Sequence, residues 1–128
     1  VENTRENIER FNVSKLSIVL QGDLFEKIDE RLDFVVFNHP FFPDHPREEH
    51  VSMAFLDSGE LLQRFLGEAK SYFRGSGRIV MPYFHLAGPV NDPKKHGLKY
   101  GYKTHERFRT HVTSGLQKGI VSIYELEW

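Results

Sequence analysis

The run Asp33–Phe42 (Asp-Phe-Val-Val-Phe-Asn-His-Pro-Phe-Phe) limits what this chain can fold into more than any other stretch. Its apolar part, Phe34–Phe37, is β-branched and aromatic. It is too short and too continuous for an amphipathic helix, and a proline bounds it, so it predicts a strand buried on both faces. Strands of that kind belong to parallel sheets covered by helices, and such sheets gather ligands at the carboxyl ends of their strands. An amide side chain, a rigid proline and aromatic rings stand at that end, in Asn38-His39-Pro40-Phe41-Phe42.

The flanking segments supply a sheet and its cover. Leu61, Leu62, Phe65, Leu66, Ala69, Tyr72 and Phe73 recur at helical spacing. They predict an amphipathic helix starting at Asp57 or Ser58, with Glu60 placed for a capping box. Gly75-Ser76-Gly77 is the expected helix stop. Arg78–Met81 then reads as a second buried strand, closed by Pro82. Strand, long helix, strand is the βαβ pattern. Upstream, Asn3 or Thr4 is placed to cap a short surface helix that Asn12 ends. Leu16–Gln21 reads as a strand by its β-branched content, and Asp23 is placed to cap the turn Leu24–Ile28. Downstream, a helix is expected over about Asp92 to Leu98. A hairpin follows, Tyr102–Thr113 with Gly119–Trp128, whose last strand carries Ile120, Ser122, Tyr124, Leu126 and Trp128 on one face.

Composition narrows the function. The 128 residues are the size of one domain, and 39% hydrophobic with 27% charged is ordinary for a soluble globular protein. A net charge of -1 gives no electrostatic footprint for nucleic acid or an anionic membrane. No apolar run approaches the roughly 20 residues of a membrane span, and no signal peptide is visible. The lack of cysteine excludes disulfides, thiol catalysis and thiolate metal sites, and makes a cytoplasmic location the expectation. His39, Asp44, His45, Glu48, Glu49 and His50 suggest a metal, but their spacing matches no metal-binding pattern, so a solvated loop and no metal site are expected. Lys94, Lys95, Lys99, Lys103, Arg107 and Arg109 make the C-terminal part locally basic, and are expected on a solvated face rather than along a phosphate backbone.

Three stretches together resemble the class I S-adenosylmethionine-dependent methyltransferases, in the branch with an Asn-Pro-Pro-Tyr/Phe corner that methylates amino groups. Ile18–Phe25 is similar to the family's third strand and its acidic turn. Asp33–Phe41 is similar to the fourth strand and its corner. Asp57-Ser58-Gly59 before the long helix and Gly77–Met81 after it are similar to the following helix and fifth strand. The terminal hairpin suits strands six and seven. The resemblance implies an α/β fold, a partial Rossmann-like methyltransferase sheet of strands three to seven, with flanking helices and a C-terminal antiparallel hairpin. Residues 1–128 would form a single domain, the C-terminal part of a methyltransferase domain lacking its first two strands. No Gly-x-Gly loop follows a buried strand in this sequence.

The same resemblance assigns roles. Asn38, His39 and Pro40 would be the catalytic corner: the Asn38 side-chain oxygen and the His39 carbonyl accept the N–H groups of the substrate nitrogen, and Pro40 sets the corner's shape. Phe41 and Phe42 would contact a planar substrate group. Asp23, Leu24 and Asn38 would contact the cofactor, S-adenosylmethionine. His39 stands where the family more often has proline, which keeps the carbonyl and leaves open a ring that faces the substrate. The implied function is methyl transfer to an amino or amide nitrogen, with the 128 residues inactive alone and the substrate a protein, a nucleic acid or a small molecule. A non-catalytic module that binds a protein or RNA partner is the alternative. The unpaired edge of the Asp33–Phe37 strand is expected to pair with Leu16–Gln21 or with another chain, giving self-association.

Overall fold

The computed structural model describes residues 1–44, 55–114 and 117–128. In chain order, α1 spans Glu2–Arg10, β1 Leu32–Val36, α2 Glu60–Ala69, β2 Phe73–Phe84, α3 Pro93–Lys99, β3 Lys103–Ser114 and β4 Gln117–Glu127. The four strands form one sheet in the order β1-β2-β4-β3. β1 is parallel to β2, and β4 is antiparallel to both of its neighbours. The predicted α/β sheet with a closing hairpin is therefore present.

The helix stripe builds the core. Leu62, Phe65, Leu66 and Ala69 of α2 are buried. They meet Phe73, Ile79, Met81 and Tyr83 of β2, Tyr124 and Leu126 of β4, and Tyr102. Each large apolar side chain removed from water contributes about 1.5–3 kcal/mol, so α2 and β2 hold each other in place. Tyr102 Oη donates to the Leu66 carbonyl at 2.8 Å, which joins the entrance of β3 to the middle of α2. α3 begins as expected, with the Asp92 carboxylate accepting from Lys94 N and Lys95 N. Asn12, in the left-handed region at φ 55, follows α1.

Five expectations are corrected. First, β1 is not buried on both faces: Phe34 is 50% exposed and Val36 67%. α2 and the turn around Phe25 cover one side of β1, and among the described residues no strand pairs with its outer edge.

Second, Leu16–Gln21 forms no strand. Leu16 ends a 3-10 turn, and Leu16 and Ile18 are 87% and 81% exposed. β-branched content favours a strand only where a neighbour completes the ladder, and this segment pairs with none of the described strands.

Third, Gly75-Ser76-Gly77 lies inside β2. The helix ends earlier, at Ala69, and passes through a 3-10 turn, Lys70–Tyr72. Between Leu32↔Phe73 and Phe34↔Arg78 the register slips, so β2 bulges over Arg74–Gly77. Gly75 supplies the positive φ (75°) that suggested a helix stop, but it serves a bulge. Pro82 does not close the strand, because Val80 already makes the last bond to β1 (Phe37 N to Val80 O, 3.0 Å). Two residues on, the missing N–H of Pro82 faces the side that β1 no longer covers.

Fourth, the N-cap of α1 is Val1, with no side-chain bond from Asn3 or Thr4. Fifth, the Asp23 side chain does not cap the turn after it. It pairs with Arg64 Nη2 at 2.6 Å, while its carbonyl accepts Glu26 N. The loop expected after Phe42 falls mainly on residues 45–54, outside the described residues.

The bulge yields a test. A Cβ at Gly77 would lie 2.0 Å from Phe73 ring atoms. Gly77→Ala is expected to lower stability by about 1–3 kcal/mol, as overpacked sites do, read as a reduced urea midpoint with an unchanged denaturant slope.

Candidate functional site

The corner after β1 has an outer and an inner side. Asn38 is exposed, whereas His39 (2% exposed) and Pro40 are buried. Among the described residues the Asn38 side chain has no hydrogen-bond partner. The His39 ring turns inward, correcting the idea that it faces a substrate. Its Nε2 lies 3.0 Å from the Asn91 carbonyl, so Nε2–H donates there. It also packs edge-on against Phe41, centroids 5.1 Å apart, and beside Phe37 at 6.0 Å.

Asn91, fully buried between β2 and α3, continues the clamp. Its Nδ2 donates to the Asp57 carbonyl (2.6 Å) and to the Phe41 carbonyl (3.2 Å). The Asp57 carboxylate accepts Gly59 N, Leu61 N and Leu62 N at 3.0–3.1 Å, satisfying N–H groups at the start of α2. Phe42 N donates to Phe55 O, and Asp57 N to Phe42 O. The corner, the start of α2 and the segment after β2 are thus bonded to one another. Phe41 is partly buried, and Phe42 (37% exposed) packs edge-on against Phe84 at 6.3 Å.

Leu24 and Phe37 line one open groove of about 450 Å³, with Phe25, Val35 and Phe65. Phe37 stacks on Phe65 with centroids 3.9 Å apart. This groove brings the acidic turn and the strand that ends at Asn38 together. Asp23 sits at the start of that turn, exposed and paired with Arg64. An ion pair this exposed is screened by solvent, so the carboxylate exchanges partners at little cost.

The expected capping by Asp57 is present, without the Glu60 half of a capping box, whereas sequence reading missed Asn91 and its bond to the Asp57 carbonyl. Asn91 stands between Pro89 and Pro93, and a polar residue in so restricted a segment was the available signal. Among the described residues, no group of His, Asp or Glu is arranged to hold a metal ion. His45, Glu48, Glu49 and His50 lie outside the described residues. Arg107 and Arg109 pair with Glu125 and Glu106. Among the described residues, no helix is long and apolar enough to cross a membrane.

Comparison with known proteins bears on this geometry. No protein-family profile matches the chain. A protein provisionally named as a protein N5-glutamine methyltransferase, from Methanocaldococcus jannaschii, is 30% identical over 108 residues, covering 77% of this chain and 54% of that protein. The crystal structure of precorrin-6y C5,15-methyltransferase from Geobacter metallireducens superposes with a TM-score of 0.56 at 16% identity, over 97% of this chain and 58% of the other. The chain thus spans little more than half the length of each. Its fold is a methyltransferase-type Rossmann-like sheet over the part it covers.

Burial holds the His39 pKa below its ordinary value, with the Asn91 carbonyl bond and the Asp57 charge opposing the shift and His96 adding to it. A histidine depressed in the folded state binds its proton more readily when unfolded. Stability is therefore full above about pH 6.5 and falls as pH drops below that value. Urea titrations from pH 7.5 to 5.5 should show this loss, and His39→Gln should flatten the slope. An unchanged slope would show that His39 is not the group responsible.

Proposed function

We propose that this chain forms the acceptor side of an S-adenosylmethionine-dependent methyltransferase acting on an amino or amide nitrogen. The observation that carries the reading is the contrast within the corner. Asn38 is exposed with its side chain unpaired among the described residues, while the two residues after it are buried and bonded to the segments on either side. Support comes from the strand order and from the two methyltransferases the chain is similar to. A non-catalytic partner-binding module has no comparable support.

The cofactor, when bound, supplies an electrophilic methyl group on a sulfonium. An amide or ring-conjugated amino nitrogen is a poor nucleophile because its lone pair is delocalised. Hydrogen bonds from its N–H groups to the Asn38 oxygen and the His39 carbonyl turn that lone pair toward the methyl carbon, so catalysis is mainly positioning. Pro40 and the buried His39 ring keep both acceptors in place. Phe42, packed on Phe84, contacts a planar substrate group, with Phe41 beside it holding the His39 ring. The Leu24–Phe37 groove, within the usual volume range of ligand sites, takes the planar end of the cofactor, with Asp23 and Asn38 next in the chain to its lining residues Leu24 and Phe37. The relative named for glutamine makes a protein side-chain amide the first substrate to try.

On this reading the 128 residues alone do not turn over, because the residues that would hold the rest of the cofactor are not among them. S-adenosylhomocysteine should bind detectably only when the donor half of the sheet is joined to this chain or supplied in trans. In that assembled form Asn38→Ala is expected to lower turnover by on the order of 100-fold, with cofactor affinity nearly unchanged in calorimetry. Retained activity would refute the role of Asn38, and cofactor binding by the chain alone would refute the division of the site.

We also propose that the open β1 edge pairs with a further strand, in a second copy when no other is present. Phe34 and Val36 are exposed on this strand. Size-exclusion chromatography should show concentration-dependent association that Val36→Lys abolishes. A stable monomer at high concentration would refute it.

A further inference from the structure

A second polar cluster lies where β2, β3 and β4 meet, apart from the corner. His85 follows the last residue of β2, and its Nε2 is 2.7 Å from Ser122 Oγ on β4. Ser122 Oγ is 2.5 Å from Glu106 Oε1 on β3. Arg109 Nε donates to the same carboxylate oxygen at 2.7 Å and lies 3.5 Å from Ser122 Oγ. Ser122 is fully buried, His85 is partly exposed and Glu106 is exposed. Tyr83 packs edge-on against the His85 ring at 4.9 Å, and its hydroxyl donates to the Gly88 carbonyl.

Placing the hydrogens along this chain leaves one solution. The Ser122 hydroxyl bond holds the Glu106 carboxyl below the usual range, and Arg109 adds to it against the opposing effect of desolvation. At neutral pH Glu106 is therefore ionised and only accepts. Ser122 has one hydroxyl hydrogen, and the 2.5 Å separation is that of an O–H donating to a carboxylate. The serine oxygen is left to accept, so the hydrogen of a neutral His85 resides on Nε2. Nδ1 then carries a lone pair. Among the described residues nothing donates to it.

We propose that His85 Nδ1 is an acceptor site whose tautomer is set by Glu106 through Ser122, and that it receives a hydrogen bond from an uncharged N–H group such as an amide. The site stands at the carboxyl rim of the parallel strands. The His85 ring lies on the sheet face of Tyr83 and Ser122, which pair across β2 and β4, whereas Phe84 and the Phe42 ring packed on it belong to the other face. The inference does not require methyl transfer, since the tautomer follows from the three side chains alone.

Nuclear magnetic resonance of the ¹⁵N-histidine-labelled chain tests it directly. Long-range proton–nitrogen correlations should show His85 as the Nε2–H tautomer. In Glu106→Gln the amide can donate to Ser122 Oγ, which frees the serine hydrogen for His85, and the proton should move to Nδ1. This variant changes an exposed residue and is expected to fold; Ser122→Ala should simply lose the tautomer preference. Acetamide should shift the Nδ1 resonance, whereas N,N-dimethylacetamide, which has no N–H, should leave it in place. An Nδ1–H tautomer in the unmodified chain, or a tautomer unmoved by Glu106→Gln, would overturn the relay. Equal responses to the two amides, or no response to either, would overturn the acceptor site.

Discussion

The parallel pairing of β1 with β2 is the interaction on which everything else rests. It joins Leu32–Val36 to residues more than 40 positions later, and it forms only if α2 folds down over both strands. The loop-closure entropy of such a contact must be met by burial, and the apolar stripe of α2 supplies it through Leu62, Phe65, Leu66 and Ala69. Once β2 is fixed, β4 pairs with it antiparallel across the α3–β3 segment, and β3 adds to β4 as a hairpin that needs only a short connection. The corner after β1 inherits its position from this order of dependence. A shift of one residue in the β1–β2 register would exchange the faces of Asn38 and His39 and turn the amide inward.

The second constraint is polar. His39, Asn91 and Asp57 join three separate parts of the chain through bonds made largely to backbone groups, away from solvent. Buried polar groups are costly unless bonded, and bonded groups in a low-dielectric setting resist rearrangement. The ring of His39 occupies core space that a proline would not fill, and it gives the corner a tether to the segment after β2. Its neutral state follows from the same burial, so the tether is strongest where the imidazole is uncharged. Rigidity on the inner side is what leaves Asn38 free to face outward in a defined direction.

Much of this was legible in the residues. The stripe Leu61–Ala69, the strand-forming runs at Phe34–Val36 and Arg78–Met81, and the alternation Ile120–Leu126 each reflect a local pattern, and each appears in the fold. What failed was whatever depended on neighbours. Leu16–Gln21 has the composition of a strand but no partner, and a strand is a property of a pair. Gly75–Gly77 has the conformation of a helix stop but lies in a bulge, because positive φ is common to both. Exposure of Phe34 and Val36 could not be read from their types, since the same residues would be covered if more of the sheet lay beside them. The corner was legible as a motif. The inward turn of His39 and its partner Asn91 were not, because a contact across 52 positions leaves no periodic trace.

The two polar groups at the carboxyl rim differ in what they offer a ligand. Asn38 presents an amide that can accept or donate and is not committed within the described chain. His85 presents a nitrogen whose character is already decided by a carboxylate two bonds away. Uncommitted and committed groups on one rim are complementary for recognising an amide, whose N–H needs an acceptor of fixed character while its second polar atom tolerates an adaptable partner. Selectivity on this rim would then come from the histidine, because a ligand lacking an N–H leaves a desolvated lone pair facing it without a donor. The exposed asparagine loses far less by a mismatch, since solvent can replace the missing partner.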